Sequence, residues 1–176
     1  MKTFRKRLIS FLSAAVGGKT GTNIRNMMDK QASEIENTIP DVKVERVAEG
    51  IDIEFNSNFL FGFDTSSLLA EAKINLDKLV AILTFYADTD IEVQGYTNNK
   101  GTKTDNLCLS QSRVGSVSDY LTSMGIAGSR VRTKGFGQSA PKYDNTTIDG
   151  RSQNRRVEFL ITANQKMKAE AEKETA

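Results

Sequence analysis

The sequence predicts an α/β (α+β) sandwich, with helices packed on a sheet. Three observations carry this: short runs in which apolar and polar residues alternate, long stretches whose apolar residues recur every three or four positions, and the interleaving of the two kinds along 176 residues. The length holds one domain with short extensions. Hydrophobic residues at 38% and only 2 Pro place the chain with globular folds rather than disordered ones.

From Asn23 to Thr38, Ile24, Met27, Met28, Gln31, Ile35 and Ile39 recur at helical steps among Asp, Lys and Glu, so an amphipathic helix is expected, stopped before Pro40. The folded unit begins near Asp41. Val42, Val44 and Val47, and then Ile51, Ile53 and Phe55 alternating with Asp52, Glu54 and Asn56, predict a hairpin with one buried face. Phe59, Phe61 and Phe63 continue the spacing and are expected in the core. Asp64-Thr65-Ser66-Ser67 offers an N-cap to a helix from Leu68 to Tyr86, whose inner face includes Ala72, Leu76, Leu79 and Leu83. Ile91 to Gly95 is a strand, a polar loop spans Tyr96 to Thr104, and a second long helix runs from about Asn106 to Met124, stopped by Gly125. Arg130 to Gly137 is the next strand. A loop with Pro141 and the turn-prone Asp144-Asn145-Thr146-Thr147, a short helix around Arg151 and a last strand from Val157 to Ile161 follow. The Lys- and Glu-rich stretch from Asn164 to Ala176 reads as a solvated helix or a frayed end. The expected organisation is a possible signal or membrane-proximal segment at 1–18, an amphipathic helix or linker at 19–40, the domain at 41–162 and a charged tail at 163–176.

The formal net charge is +2, far from the excess with which a nucleic-acid binder neutralises phosphates. His is absent, which removes the usual general base, the commonest metal ligand and every Ser-His or Cys-His dyad. Cys108 is the single cysteine, too few for an intramolecular disulfide or a structural zinc site. No run reaches the roughly 18 apolar residues of a transmembrane helix. Lys2, Arg5, Lys6 and Arg7 precede an apolar run from Leu8 to Val16 and small residues, the outline of a secretory signal, with an amphipathic helix or a misplaced start as rival readings. No lipid-attachment Cys follows it. Gly18-Lys19-Thr20 looks like the end of a phosphate-binding loop, but Ser13 stands where that loop needs its first Gly, so nucleotide binding is set aside.

Three stretches are polar in ways a core does not demand, and with a glycine-containing turn between the second and third they make four motifs. They are Gly95-Tyr96-Thr97-Asn98 with Gly101; Asp105-Asn106 with Leu109-Ser110 and Arg113; Gly135-Phe136-Gly137 with Pro141; and Gly150-Arg151 with Asn154-Arg155-Arg156-Val157-Glu158. In order and spacing they resemble the signature of the OmpA-like C-terminal domain, the peptidoglycan-associating module of outer-membrane porins, envelope lipoproteins and flagellar stator proteins. The resemblance covers about residues 41–162 and implies a βαβαβ fold with two long helices packed on a mixed sheet. It also implies a pocket in the strand-end loops for the diaminopimelate residue of the peptidoglycan stem peptide. Carried over position by position, the ligand-binding residues are Asp64, Thr97, Asn98, Asn106, Arg113 and Arg155.

In that family an Asp meets the ligand's ammonium and an Arg grips its carboxylate with two parallel hydrogen bonds. Arg113 fills the Arg position, on what reads as an exposed helix face. The Asp position holds Asn98, and the family's His position holds Tyr96. An amide in place of the carboxylate exchanges a charge-assisted bond of roughly 1.5–3 kcal/mol for a neutral one of roughly 0.5–1.5. Asp105 is a nearby candidate to restore the charge. Of Arg155 and Arg156, one should face the pocket; strand alternation does not decide which, and Arg155 is preferred. A purely structural role for Asn154-Arg155-Arg156, pinning the last strand, stands beside this reading.

The resemblance implies a non-catalytic protein on the periplasmic side of the cell envelope, associated with the outer membrane. It would bind the stem peptide and tether the outer membrane or an envelope complex to the wall, with envelope proteins as further partners and no cofactor, metal or nucleic acid. The alternative is the same fold with weakened or lost ligand binding, serving as a structural protein-interaction domain. The carboxylate pairs Asp88/Asp90 and Asp52/Glu54 are expected on a turn and on the solvated face of a strand, so no catalytic residue is assigned.

Overall fold

Period-two patterning builds the centre of the molecule. In the computed structural model, which describes residues 18–176, helix α1 (Gly18–Thr38) leads into strands β1 (Val42–Val47) and β2 (Gly50–Asn56), a short helix α2 (Ser57–Leu60) and helix α3 (Ala70–Phe85). Strand β3 (Thr89–Tyr96), helix α4 (Lys103–Ser123), a 3-10 turn (Gly128–Arg130), β4 (Val131–Gly137), helix α5 (Ile148–Asn154), β5 (Arg156–Ala163) and helix α6 (Gln165–Thr175) follow. The five strands lie in the order β1-β2-β5-β3-β4, antiparallel except for the parallel pair β3–β4, which α4 connects. The mixed α/β fold expected from the sequence is the one that forms. The signal-like run before residue 18 lies outside the described residues.

Register explains the two faces of the sheet. Ile53, Phe159 and Val93 align across β2, β5 and β3, as do Ile51, Ile161 and Ile91, and all six are buried against the helices. Each such side chain contributes about 1.5–3 kcal/mol by leaving water. The helical stripes meet these rows: Ile24, Met28 and Ile35 on α1, Leu76, Leu79 and Leu83 on α3, Val114, Val117 and Leu121 on α4. At Gly95 a Cβ would come within 2.8 Å of both the Ser110 carbonyl oxygen and a Val114 methyl. Glycine there lets α4 close on the end of β3, which sets the start of α4 beside the strand-end loops.

The opposite face departs from the expectation. Its rows are Asn56, Arg156 and Tyr96; Glu54, Glu158 and Gln94; Asp52, Leu160 and Glu92. Asp52 and Glu54 are buried, not solvated. The segment after β4 folds over them: Lys142 Nζ donates to Glu54 Oε2 at 2.7 Å, and the Tyr143 hydroxyl to Glu54 Oε1 at 2.9 Å.

Two further expectations are corrected. The alternation stops at Asn56, whose side chain accepts from the Asn58 N–H at 2.9 Å and starts α2, so Phe61 is buried while Phe59 is exposed and Phe63 is 98% exposed. The C-terminal stretch is neither frayed nor wholly solvated: α6 is capped by the Asn164 side chain accepting from the Met167 N–H at 3.0 Å, and buries Met167 and Ala171. It packs on α1, with Thr20 and Thr175 hydroxyls 3.0 Å apart.

Gln31 in α1 has 0% exposure, and neither end of its amide has a hydrogen-bond partner among the described residues. An unpaired buried polar group costs about 1–3 kcal/mol. Gln31→Leu should therefore stabilise the protein by about that amount, read as a higher urea midpoint at unchanged slope; a lower midpoint would mean that the amide is satisfied in solution.

Candidate functional site

Arg113 sits in the middle of α4, facing the turn between α2 and α3. It is not on an exposed helix face: its exposure is 6%. Its Nε donates to the Thr65 carbonyl oxygen at 2.9 Å, and its guanidinium lies over the Phe61 ring, 5.1 Å from the centroid. These contacts fix the plane of the fork, and among the described residues neither Nη nitrogen has a hydrogen bond. Burial pushes the guanidinium below its usual pKa, the neighbouring Asp64 carboxylate works against that shift, and the Arg155 guanidinium adds to it. Asp64 is exposed and holds φ at 51°, a left-handed conformation that Asp tolerates better than most residues. The Arg155 carbonyl accepts from the Ser57 N–H at 2.8 Å, at the head of the short helix that Phe61 follows as C-cap. Asp64, Arg113 and Arg155 thus share one neighbourhood.

Thr97, Asn98 and Asn106 form a second group. The Thr97 N–H donates to Gly137 O at 2.9 Å and its hydroxyl to Asn98 O at 2.9 Å. Asn98 Oδ1 accepts from the Lys100 N–H at 3.0 Å. Asn106 Nδ2 donates to Lys100 O at 2.8 Å and Gln138 Oε1 at 2.6 Å, with Asn98 O at 3.3 Å. These side chains hold the β3–α4 loop against the end of β4. Asn106 and Arg113 lie on one face of α4, two turns or about 10 Å apart, and a helical arginine leans back toward the N-terminus. Asp105 is exposed, about 100° of helix rotation from Asn106.

The two arginines of the last motif part company. Arg156 is 1% exposed: its Nε pairs with Glu158 Oε1 at 2.6 Å, and its guanidinium carbon lies 3.8 Å from the Tyr96 ring centroid. Tyr96 also stacks on Phe136 at 4.9 Å and donates its hydroxyl to Gln94 Oε1 at 2.8 Å. Arg155 is half-buried and stands in the field of Arg113. Asn154 is a structural pin, accepting from the Lys142 and Tyr143 N–H groups at 2.9 Å each and donating to Tyr143 O at 2.8 Å. Sequence reasoning missed Phe61 as the platform for Arg113, Gln138 as a partner of Asn106, and the Thr65 carbonyl. Phe61 was visible only as an apolar position, and a backbone carbonyl leaves no signal in the sequence.

Residues 60–155, which contain all of these except the Arg156–Glu158 pair and Ser57, match the OmpA family. The chain belongs to that family. This OmpA-family chain is 31% identical over 144 residues to the probable lipoprotein YiaD of Escherichia coli, an overlap of 81% of the chain and 66% of that protein. It is 37% identical over 101 residues to the peptidoglycan-binding protein ArfA of Mycobacterium tuberculosis, covering 57% of the chain and 31% of ArfA. Among solved structures, the cell wall anchor of the T6SS from Pseudomonas aeruginosa superposes with a TM-score of 0.68 at 26% identity, covering 80% of the chain and 99% of that structure. The chain spans less than two thirds of the length of these two curated relatives. In the described part of this OmpA-family chain, no helix is long and apolar enough to cross a membrane.

Proposed function

We propose that the chain is a non-catalytic wall-binding module. It binds the diaminopimelate-containing stem peptide of peptidoglycan on the periplasmic side of the envelope, and tethers the outer membrane or an envelope complex to the wall. The observation that carries this reading is Arg113, a buried guanidinium held by Thr65 and Phe61 with its Nη edge open beside Asp64 and Arg155. A fixed planar fork is suited to a carboxylate, and holding it in advance reduces the ordering that binding must impose. The similarity to ArfA, a peptidoglycan-binding protein, and to the cell wall anchor of the T6SS supports the ligand class. Binding of this kind needs no cofactor and no metal.

The test is calorimetric titration of the chain with a diaminopimelate-containing stem tripeptide. Wild type should bind, Arg113→Ala should lose at least about tenfold in affinity, and Arg113→Lys should also weaken, because it keeps the charge and loses the fork. Melting curves of the variants separate lost binding from lost folding. A second reading, the structural protein-interaction domain, is favoured by Asn98, which is uncharged and whose Oδ1 is already engaged by Lys100. It takes over if wild type binds no stem peptide and Asn98→Asp does.

A further inference from the structure

We infer that this site reads the carboxylate of its ligand and not an ammonium beside it, so that the ligand class is any stem peptide whose third side chain ends in a free carboxylate. The inference rests on the wall-binding reading above and narrows what that reading recognises.

The first ground is the charge around the open edge of Arg113. Arg113 stands in the field of one carboxylate, Asp64, and of one further guanidinium, Arg155. The positions follow from the chain: Asp64 precedes the Thr65 carbonyl that Arg113 Nε holds, and the backbone of Arg155 is bonded to Ser57 at the head of α2. These three charged groups together carry one positive charge in excess. An incoming carboxylate neutralises it, whereas a carboxylate with an ammonium attached brings no net charge and leaves the excess in place.

The second ground is the loop across the pocket. An ammonium needs acceptors, and charged acceptors bind it roughly twice as strongly as neutral ones. Here Asn98 Oδ1 is engaged by the Lys100 N–H, and Asn98 O receives both the Thr97 hydroxyl and Asn106 Nδ2. What remains is neutral: Asn106 Oδ1 and the second lone pairs of oxygens already in use. Lys100 and Lys103 stand on this loop and at the start of α4, with Asp105 the one carboxylate between β3 and Asn106, exposed and turned away from the Asn106 face. Nothing there favours a second positive charge over water.

The experiment titrates the whole chain with three tripeptides that differ only in the third residue: diaminopimelate, its analogue lacking the side-chain amine, and lysine, which keeps an amine and lacks the carboxylate. The amine-free peptide should bind within about threefold of the diaminopimelate peptide or more tightly, and the lysine peptide at least about tenfold more weakly. Asp64→Asn, at an exposed position whose backbone Asn also tolerates, should affect both carboxylate peptides alike, the ratio of their affinities staying within about threefold of the wild-type ratio. If the amine-free peptide binds tenfold more weakly than the diaminopimelate peptide, or if Asp64→Asn selectively loses the latter, the ammonium is read and the inference is overturned while wall binding stands. Equal binding of the lysine peptide also overturns it. If none of the three binds, the wall-binding reading fails and the inference with it.

Discussion

Arg156→Ala should destabilise the protein by about 3–5 kcal/mol, the loss expected when one partner of a buried ion pair is removed. Arg156 and Glu158 are paired at 2.6 Å and are both almost inaccessible to water. Without the guanidinium, Glu158 is left facing Glu54, its direct neighbour across β2 and β5, with Asp52 on the next row. Tyr96 loses the cation that lies 3.8 Å from its ring. Urea denaturation at pH 7 measures the change. The double variant Arg156→Leu with Glu158→Leu should recover most of the loss, because it removes the orphaned charge as well as its partner. A change below about 1 kcal/mol in the single variant would show that water or a neighbouring lysine can replace Arg156.

The second large effect depends on pH. Asp52 is buried, its Oδ1 has no hydrogen-bond partner among the described residues, and its pKa is pushed up to about 7 from an ordinary value of 3.8. Burial is the leading cause, the Glu158 carboxylate is next, and Glu54 adds to it; Lys142 and Arg156 oppose. Glu45 stands directly opposite on β1. Because the folded-state value lies above the ordinary one, the native protein holds the proton more tightly than the unfolded chain. The stability this gives is fully present below about pH 4 and is lost as the pH rises through about 7. A difference of about three powers of ten in proton affinity corresponds to about 4 kcal/mol. Asp52→Asn, which keeps the shape without the charge, should change the melting temperature little at pH 5 and raise it by several degrees at pH 9. Equal shifts at both pH values would mean that Asp52 does not titrate between them.

These two residues mark where the sequence was legible and where it was not. Ile51, Ile53, Phe55, Val157, Phe159 and Ile161 announced their face because apolar side chains at period two have one place to go. Asp52 and Glu54 alternate with the apolar residues of their strand and read as solvated. What buries them is a segment some 90 residues further on, which brings Lys142 and Tyr143 onto Glu54, and no local pattern foretells that. Phe59 and Phe63 kept the strand spacing but lie outside any strand, because the Asn56 cap turns the chain into α2. At the candidate site, motif spacing placed Arg113 at the family's Arg position and marked Asn98 as a departure. The burial of Arg113 depends on Phe61 and the Thr65 carbonyl, and the parting of Arg155 from Arg156 on which of them lies under Tyr96. Both are facts of packing between distant segments.

The position of β5 has a mechanical consequence. Its first residue, Arg156, lies at the end of the sheet that carries the site, and its last, Ala163, leads into α6 at the opposite end. Helix α1 ends beside the start of β1 and runs back about 30 Å to where Thr20 meets Thr175, so both ends of the described chain emerge far from the site. A wall strand gripped at one end and a pull applied at the other would stretch the molecule along β5. That strand is bonded to β2 on one side and β3 on the other. Force along its axis shears two ladders at once, and their hydrogen bonds resist together instead of opening one after another.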